Sequence, residues 1–135
     1  KLYKTKTNTT DRKMLMSNLR AKTIFCDIDG TLLIHHGDLH RQIHKEPILL
    51  EGVLERLAEW DKKGWNIILV TGRRESCRKQ TEAQLQKVGI FYDMLIMGIG
   101  GGDRVLINDR KPDNHRDTTY SINLERNEGV KNLEL

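Results

Sequence analysis

The feature that most constrains the fold is a short apolar run that stops at two carboxylates. Ile-Phe-Cys at positions 24–26 is followed by Asp27, Ile28 and Asp29. The apolar residues predict a buried β-strand, whereas unpaired carboxylates are costly to bury. Open α/β sheets place their ligands at the carboxyl ends of their strands. We therefore expect Asp27 and Asp29 at the mouth of a sheet, facing a cation or a substrate.

The rest of the chain alternates helical and strand patterns, which predicts an α/β domain with a mainly parallel sheet. Apolar residues recur at helical spacing over residues 51–63 and, as a thinner stripe, over residues 75–88. Further strands are predicted over residues 65–70, 94–97, 104–107 and 120–124. Together with the first strand, these give a five-stranded sheet.

The length of 135 residues fits one domain, which we assign to residues 22–135 after a polar leader over residues 1–21. The net charge of +4 suits an anionic ligand and permits nucleic acid, but basic and aromatic residues do not alternate as in single-strand binding grooves. No apolar run approaches a membrane span, so no membrane partner is expected. Cys26 and Cys77 are too few for a disulfide framework, which indicates free thiols and a cytoplasmic protein.

More carboxylates follow the strand predicted over residues 104–107. Asp109 and Asp113 are expected to meet Asp27 and Asp29 at one edge of the sheet. Carboxylates this close repel one another unless a hard cation lies among them. Mg²⁺ prefers oxygen ligands and keeps water molecules that a phosphate oxygen can replace. Asp27, Asp109 and a backbone carbonyl near Asp29 would suit this ion.

The strand over residues 65–70 ends in three residues that can together hold a phosphate. Thr71 offers a hydroxyl, Gly72 an open N–H, and Arg73 a cation near a helix N-terminus. One carboxylate can then attack phosphorus and form an aspartyl phosphate. A second carboxylate, two residues on and on the same face, can protonate the leaving oxygen and later activate water.

These residues resemble the motifs of the haloacid dehalogenase (HAD)-like hydrolases. Residues 27–32 (Asp-Ile-Asp-Gly-Thr-Leu) are similar to the first motif and residues 70–73 (Val-Thr-Gly-Arg) to the second. Residues 106–109 (Leu-Ile-Asn-Asp), with Asp113, are similar to the fourth. The resemblance covers about residues 22–124 and implies a three-layer Rossmann-like fold. It also implies Mg²⁺ dependence and hydrolysis of a phosphomonoester such as a sugar phosphate.

The resemblance also implies a role for each site residue. Asp27 would be the nucleophile and Asp29 the general acid and base. The phosphate would be bound by Thr71, Gly72 and Arg73. The metal would be held by Asp27, Asp29, Asp109 and Asp113.

The sequence departs from the family at the third motif, where a Lys or Arg neutralises the nucleophile and the phosphate. Its usual place reads Gly-Ile-Gly here, at residues 98–100. We assign the role to Lys111, which follows the predicted fourth strand, with Arg104 and Arg73 as alternatives. If none of them reaches the site, a HAD-fold binding or regulatory module with weak or no catalysis becomes the alternative function.

A small hairpin or flap is predicted over residues 33–41, around a Gly-Asp turn. Its neighbourhood holds His35, His36, His40 and His44, but no carboxylate or cysteine lies at a recognised zinc spacing. We therefore favour a polar flap over a metal site. The segments between the motifs leave no room for a cap domain, so water would be excluded by the flap, by a homo-oligomer partner or by a large substrate. Nucleic-acid ends thus remain alternative substrates beside phosphorylated small molecules.

Overall fold

The computed structural model describes residues 20–135, which fold around a small parallel sheet. The elements, in chain order, are β1 (Thr23–Asp27), α1 (Leu39–His44), α2 (Val53–Lys62), β2 (Asn66–Val70), a 3-10 turn (Glu75–Cys77), α3 (Arg78–Val88) and β3 (Met94–Ile96). The predicted leader, residues 1–21, lies outside the described residues except for its last two positions.

The order of the strands brings their carboxyl ends together. β2 lies between β1 and β3, and both pairings are parallel. Asp27 is paired with Val70, and Val70 with Ile96, so all three strands end at the same edge. The predicted α/β class with a Rossmann-like parallel sheet is confirmed, and the sheet edge lies where the sequence pattern places the polar residues.

The core lies where β2 meets α2. Ile67 and Leu69 of β2 are fully buried, and α2 packs against this strand. The helix buries Val53, Leu57 and Trp60, which fall on one face at helical spacing. Burial of an aliphatic or aromatic side chain of this size contributes about 1.5–3 kcal/mol. The helix predicted over residues 51–63 is therefore confirmed, and its packing fixes β2 below the site.

The second predicted helix, over residues 75–88, begins with the 3-10 turn and continues as α3. It is polar on most faces, and its buried side chains include Thr81 and Gln84 as well as Leu85. Buried polar groups need hydrogen-bond partners, and those of Thr81 and Gln84 lie at the candidate site. Gly89 ends the helix with a left-handed φ of 84°.

The flap region, residues 33–41, contains the beginning of α1 rather than a hairpin. Asp38 caps this helix, because its side chain accepts a hydrogen bond from the Arg41 N–H at 2.8 Å. Leu33 forms an isolated antiparallel bridge with Leu49, which ties the base of the flap to the chain ahead of α2. None of the helices in residues 20–135 is long and apolar enough to cross a membrane.

The prediction of strands over residues 104–107 and 120–124 is wrong. The described sheet has three strands rather than five. Val105 is 82% exposed and Ile107 88% exposed, and Tyr120 is 63% exposed. The β-branched residues favour a strand by composition, but a strand also needs a neighbour to receive its backbone hydrogen bonds. Within the described residues neither segment pairs with β1, which remains an edge of the sheet.

Candidate active site

A tight turn after β1 sets the two carboxylates. The N–H groups of residues 31–33 all donate to the Ile28 carbonyl, at 2.8–3.1 Å. Ile28 itself is fully buried, so its side chain points into the core. Asp27 and Asp29, on either side of it, both line an open cleft of about 340 Å³. Gly30 has a left-handed φ of 89°, which a side chain would strain.

The most buried ion pair of the cleft joins Asp29 to Arg73. Arg73 donates from Nε and Nη2 to the two carboxylate oxygens of Asp29, each at 2.8 Å. The side chain of Arg73 is 2% exposed and that of Asp29 is 14% exposed. The remaining Nη1 donates to Thr81 Oγ1 at 3.0 Å and to Gln84 Oε1 at 2.6 Å. Arg73 therefore orients Asp29 from the end of β2 and is itself fixed by α3.

Thr71 and Gly72 lie beside this pair at the end of β2. Thr71 is 2% exposed, and its Oγ1 accepts a hydrogen bond from the Arg73 N–H at 3.1 Å. A Cβ at position 72 would lie 2.6 Å from the Gly100 carbonyl oxygen, so only glycine fits without a shift of the backbone. The glycine-rich loop of residues 98–102 thus passes directly over the second motif.

Asp27 has its own cation. Arg104 Nη1 lies 3.1 Å from Asp27 Oδ1, and Thr31 Oγ1 donates to Asp27 Oδ2 at 3.2 Å. The two charged side chains are 42% and 34% exposed, and a pair this exposed contributes little to stability. The position of this pair matters more than its stability. It places Arg104, an alternative candidate for the missing third-motif cation, beside the predicted nucleophile.

The other predicted residues lie elsewhere. Asp27, Asp29, Thr71, Gly72 and Arg73 line the cleft, whereas Asp109, Lys111 and Asp113 do not. Asp109 and Asp113 are exposed, and Lys111 is partly buried. Their segment bonds to itself, since the Asp109 carbonyl accepts from Thr118 Oγ1 at 2.6 Å and Arg110 pairs with Asp117 at 2.8 Å.

The described residues do not form a complete Mg²⁺ site. Across residues 20–135, no three His, Cys, Asp or Glu side chains are grouped so that they could hold a metal ion. Asp27 and Asp29 are suitable hard donors, but both are engaged by arginine. The same finding applies to the flap histidines. The rings of His40 and His44 contact each other in a tilted arrangement, with centroids 4.4 Å apart, and they belong to no such group.

Cys26 is a buried side chain of the core. It is 7% exposed, and burial, reinforced by the Asp27 charge, raises the pKa of its thiol to about 12. Only the thiolate is an effective nucleophile, so the chemistry of the cleft belongs to the carboxylates.

Two arginines that the sequence did not single out for this cleft also line it, Arg74 and Arg126. Arg74 directly follows the second motif, so its proximity could have been inferred from the chain. Arg126 comes from a polar stretch near the end of the sequence, and no local pattern marks it. Only the docking of that stretch beside Gly30 brings it to the site.

Comparison with known proteins agrees with this geometry. The family model of the polynucleotide kinase PNKP phosphatase domain matches residues 21–120. The D-glycero-beta-D-manno-heptose-1,7-bisphosphate 7-phosphatases of Escherichia coli K12 and Shigella flexneri are 34% identical over 71 residues, 52% of this chain. The match covers 36% of the length of those relatives.

One solved structure supports the same relationship. The Pnkp1/Rnl/Hen1 complex contains a chain that superposes with a TM-score of 0.52 at 28% identity, over 66% of this chain and 31% of that one. The match to the family model spans both strand-end motifs and the segment beyond them. The chain therefore belongs to the HAD-like phosphatases, in the family of the polynucleotide kinase PNKP phosphatase domain.

Proposed function

We propose that this chain hydrolyses phosphomonoesters at the cleft, through an aspartyl phosphate on Asp27. The observation that carries the proposal is the meeting of two strand ends. Asp27 and Asp29 from β1 lie at one cleft with Thr71 and Arg73 from β2, in an arrangement that holds a nucleophile, an acid and base, and a hydroxyl donor within one site. Membership of a phosphatase family supports the reaction class.

The proposed reaction has two displacements. An oxygen of Asp27 attacks phosphorus, the bond from phosphorus to the leaving oxygen breaks, and Asp29 gives that oxygen a proton. Asp29 then takes a proton from water, whose oxygen attacks the phosphorus of the aspartyl phosphate. The bond between phosphorus and Asp27 breaks, which releases inorganic phosphate and restores the enzyme.

The neighbouring contacts support these roles. Thr31 and Arg104 each hold one oxygen of Asp27, which fixes the direction of the nucleophile. Arg73 holds both oxygens of Asp29, and each keeps a further lone pair for a proton. Thr71 Oγ1 accepts from the Arg73 N–H, so its own hydrogen can be donated to a phosphate oxygen.

We propose Arg104 as the cation that neutralises Asp27 and the incoming phosphate. It already touches Asp27 at 3.1 Å. Lys111, our first choice from the sequence, takes this role only if its segment moves toward the cleft. An arginine in this position suits the reaction, because a guanidinium can bind a carboxylate and a phosphate oxygen at once.

Dependence on Mg²⁺ is part of the proposal and rests on the resemblance to the HAD-like hydrolases. Asp27 and Asp29 would be the ligands at the cleft. Asp109 and Asp113 complete the set only if residues 104–113 close over Asp27. Since the described arrangement does not fit a complete site, no step above passes through the ion.

The substrate class is also a proposal. The family name points to polynucleotide ends, and the curated relatives to phosphorylated sugars. The segment between β1 and β2 holds only the flap and two helices, and that between β2 and β3 only the 3-10 turn and α3. We propose that no cap domain covers the cleft, which would leave the site open to a large substrate. A homo-oligomer that covers the cleft and a cytoplasmic location remain predictions.

The direct test is phosphate release from sugar phosphates, nucleotides and DNA 3′-phosphate ends, with and without Mg²⁺. Asp27→Asn should lower kcat for the best substrate by at least about a thousandfold. Glu134→Gln, a matched loss of an exposed carboxylate, should leave kcat unchanged. If the wild-type chain binds these ligands but turns none over, the chain is instead a binding or regulatory module.

A further inference from the structure

The C-terminal segment of residues 125–131 is built onto the first motif. The Asn127 N–H donates to the Gly30 carbonyl at 2.8 Å, and the Asn127 side chain accepts from the His35 N–H at 2.7 Å. Asn127 has a left-handed φ of 67°, which asparagine tolerates better than most residues. Val130, three residues on, is 1% exposed. This segment lies beyond residue 120, where the family match ends.

The docked segment places Arg126 over the cleft. A Cβ built on Gly30 would lie 3.2 Å from Arg126 Cγ and 3.9 Å from its Nε. Arg126 therefore lies against the loop that carries Asp27 and Asp29, and it lines the same cleft. Asn127 and Val130 anchor the backbone on the C-terminal side of Arg126, and Leu124 packs against the core on its N-terminal side.

The charges of the cleft are unequally satisfied. Arg73 pairs with Asp29, and Arg104 with Asp27. The side chains of Arg74 and Arg126 form no hydrogen bond and no ion pair with another residue of the range 20–135. A guanidinium is a planar group with several donors that matches the oxygens of a phosphate. Two such groups are thus available for an anion beside the reacting phosphate.

We propose that Arg126, together with Arg74, binds a second anionic group of the substrate. The proposal rests on the proposed phosphatase function and specifies its substrate as an organic phosphate that carries another phosphate nearby. The cleft volume of about 340 Å³ falls in the range of ligand sites larger than a single ion. The second group has two sources, the phosphodiester next to a polynucleotide end or the second phosphate of a sugar bisphosphate.

Kinetics with paired substrates test the proposal and separate the sources. One pair is a 3′-phosphorylated dinucleotide and a nucleoside 3′-monophosphate, and the other is a hexose bisphosphate and a hexose monophosphate. Arg126→Gln should raise KM for the member with two phosphate groups of at least one pair by about tenfold, with kcat nearly unchanged. It should change KM for the members with one phosphate group by less than about twofold.

Two further variants exclude an indirect effect. Arg126→Lys keeps the charge and should restore part of the lost affinity. Lys62→Gln removes one exposed charge from the last turn of α2, outside the cleft, and should leave both pairs unchanged. An equal loss of affinity for substrates with one and with two phosphate groups, or no loss for either, would overturn the proposal.

A binding measurement keeps this proposal separate from the proposed reaction. In the Asp27→Asn background, calorimetry with inorganic pyrophosphate and inorganic phosphate needs no turnover. Arg126→Gln should weaken the binding of pyrophosphate by about tenfold and the binding of phosphate by less than about twofold. If the wild-type chain hydrolyses nothing but this difference is found, the phosphatase proposal fails and the second anion site stands. If the difference is absent, the second site fails whatever the enzyme hydrolyses.

Discussion

Two segments of this chain have the same local sequence pattern, but only one of them forms a β-strand. Residues 23–29 and residues 104–109 are both β-branched or apolar runs that end in carboxylates. The first forms β1, which pairs residue for residue with β2, and its Ile28 is fully buried. The second forms no strand, and its Ile107 is 88% exposed. A pattern of side chains becomes a strand only where a neighbouring strand and a covering layer exist.

The difference extends to the charges at the end of each run. Asp29 is held by a buried arginine with both oxygens bonded. Asp109 is exposed and lies outside the cleft. Arg104 links the two regions, because it begins the second run and contacts Asp27 of the first. The following predictions test whether this division is the one that matters for stability and activity.

The largest effect on stability should come from Arg73→Met. It leaves the carboxylate of Asp29 and the acceptors on Thr81 and Gln84 without their donor, so the free energy of unfolding should fall by about 3–5 kcal/mol. Arg104→Met breaks an exposed pair and should cost less than about 1 kcal/mol. Urea denaturation of both variants measures the difference. Equal costs would show that the buried and exposed pairs are not distinct.

The two hydrophobic runs can be compared directly by truncation. Ile67→Ala removes a fully buried side chain of β2 and should cost about 2–5 kcal/mol. Ile107→Ala removes one that is 88% exposed and should change stability by less than about 0.5 kcal/mol. Denaturant midpoints at constant m-value provide the measurement. If Ile107→Ala proves as costly as Ile67→Ala, residues 104–107 belong to a sheet in solution.

Asp109→Asn tests whether the exposed segment of residues 104–113 contributes to Mg²⁺ binding at the cleft. If residues 104–113 close over the cleft as the Mg²⁺ proposal requires, the Mg²⁺ concentration for half-maximal activity should rise by about ten- to a hundredfold. Asp117→Asn, in the same segment and paired with Arg110, is the matched control. Identical Mg²⁺ titrations of the two variants would remove Asp109 from the site.

The smallest effect should come from the flap, at the N-cap of α1. The Arg41 N–H bonded to Asp38 lowers the pKa of that carboxyl below its ordinary value of 3.8. Because the folded-state pKa is depressed, the cap stabilises α1 above the unfolded pKa and loses this effect as pH falls through the folded one. Amide exchange of Arg41 should quicken in Asp38→Ala at pH 6, and the difference from the wild type should shrink as the Asp38 carboxyl of the wild type becomes protonated at lower pH.

The sequence by itself determined the first strand, the two predicted helices and which polar residues follow the first two strands. These features depend on short-range patterns, such as the apolar run before Asp27 and the helical spacing of Val53, Leu57 and Trp60, which any packed arrangement must bury. Parallel pairing then follows from the alternation of strand and helix. Asp27, Asp29 and Thr71 were accordingly predictable as neighbours.

The tertiary structure alone decided which partner each charge received. Arg73, which we predicted as a phosphate ligand, is bonded to Asp29, 44 positions away, and α3 supplies Thr81 and Gln84 on its other side. The tertiary structure also leaves residues 104–107 outside the sheet. It brings Arg126 to the cleft through the docking of Asn127. Such contacts join residues far apart in the chain, so no local pattern contains them.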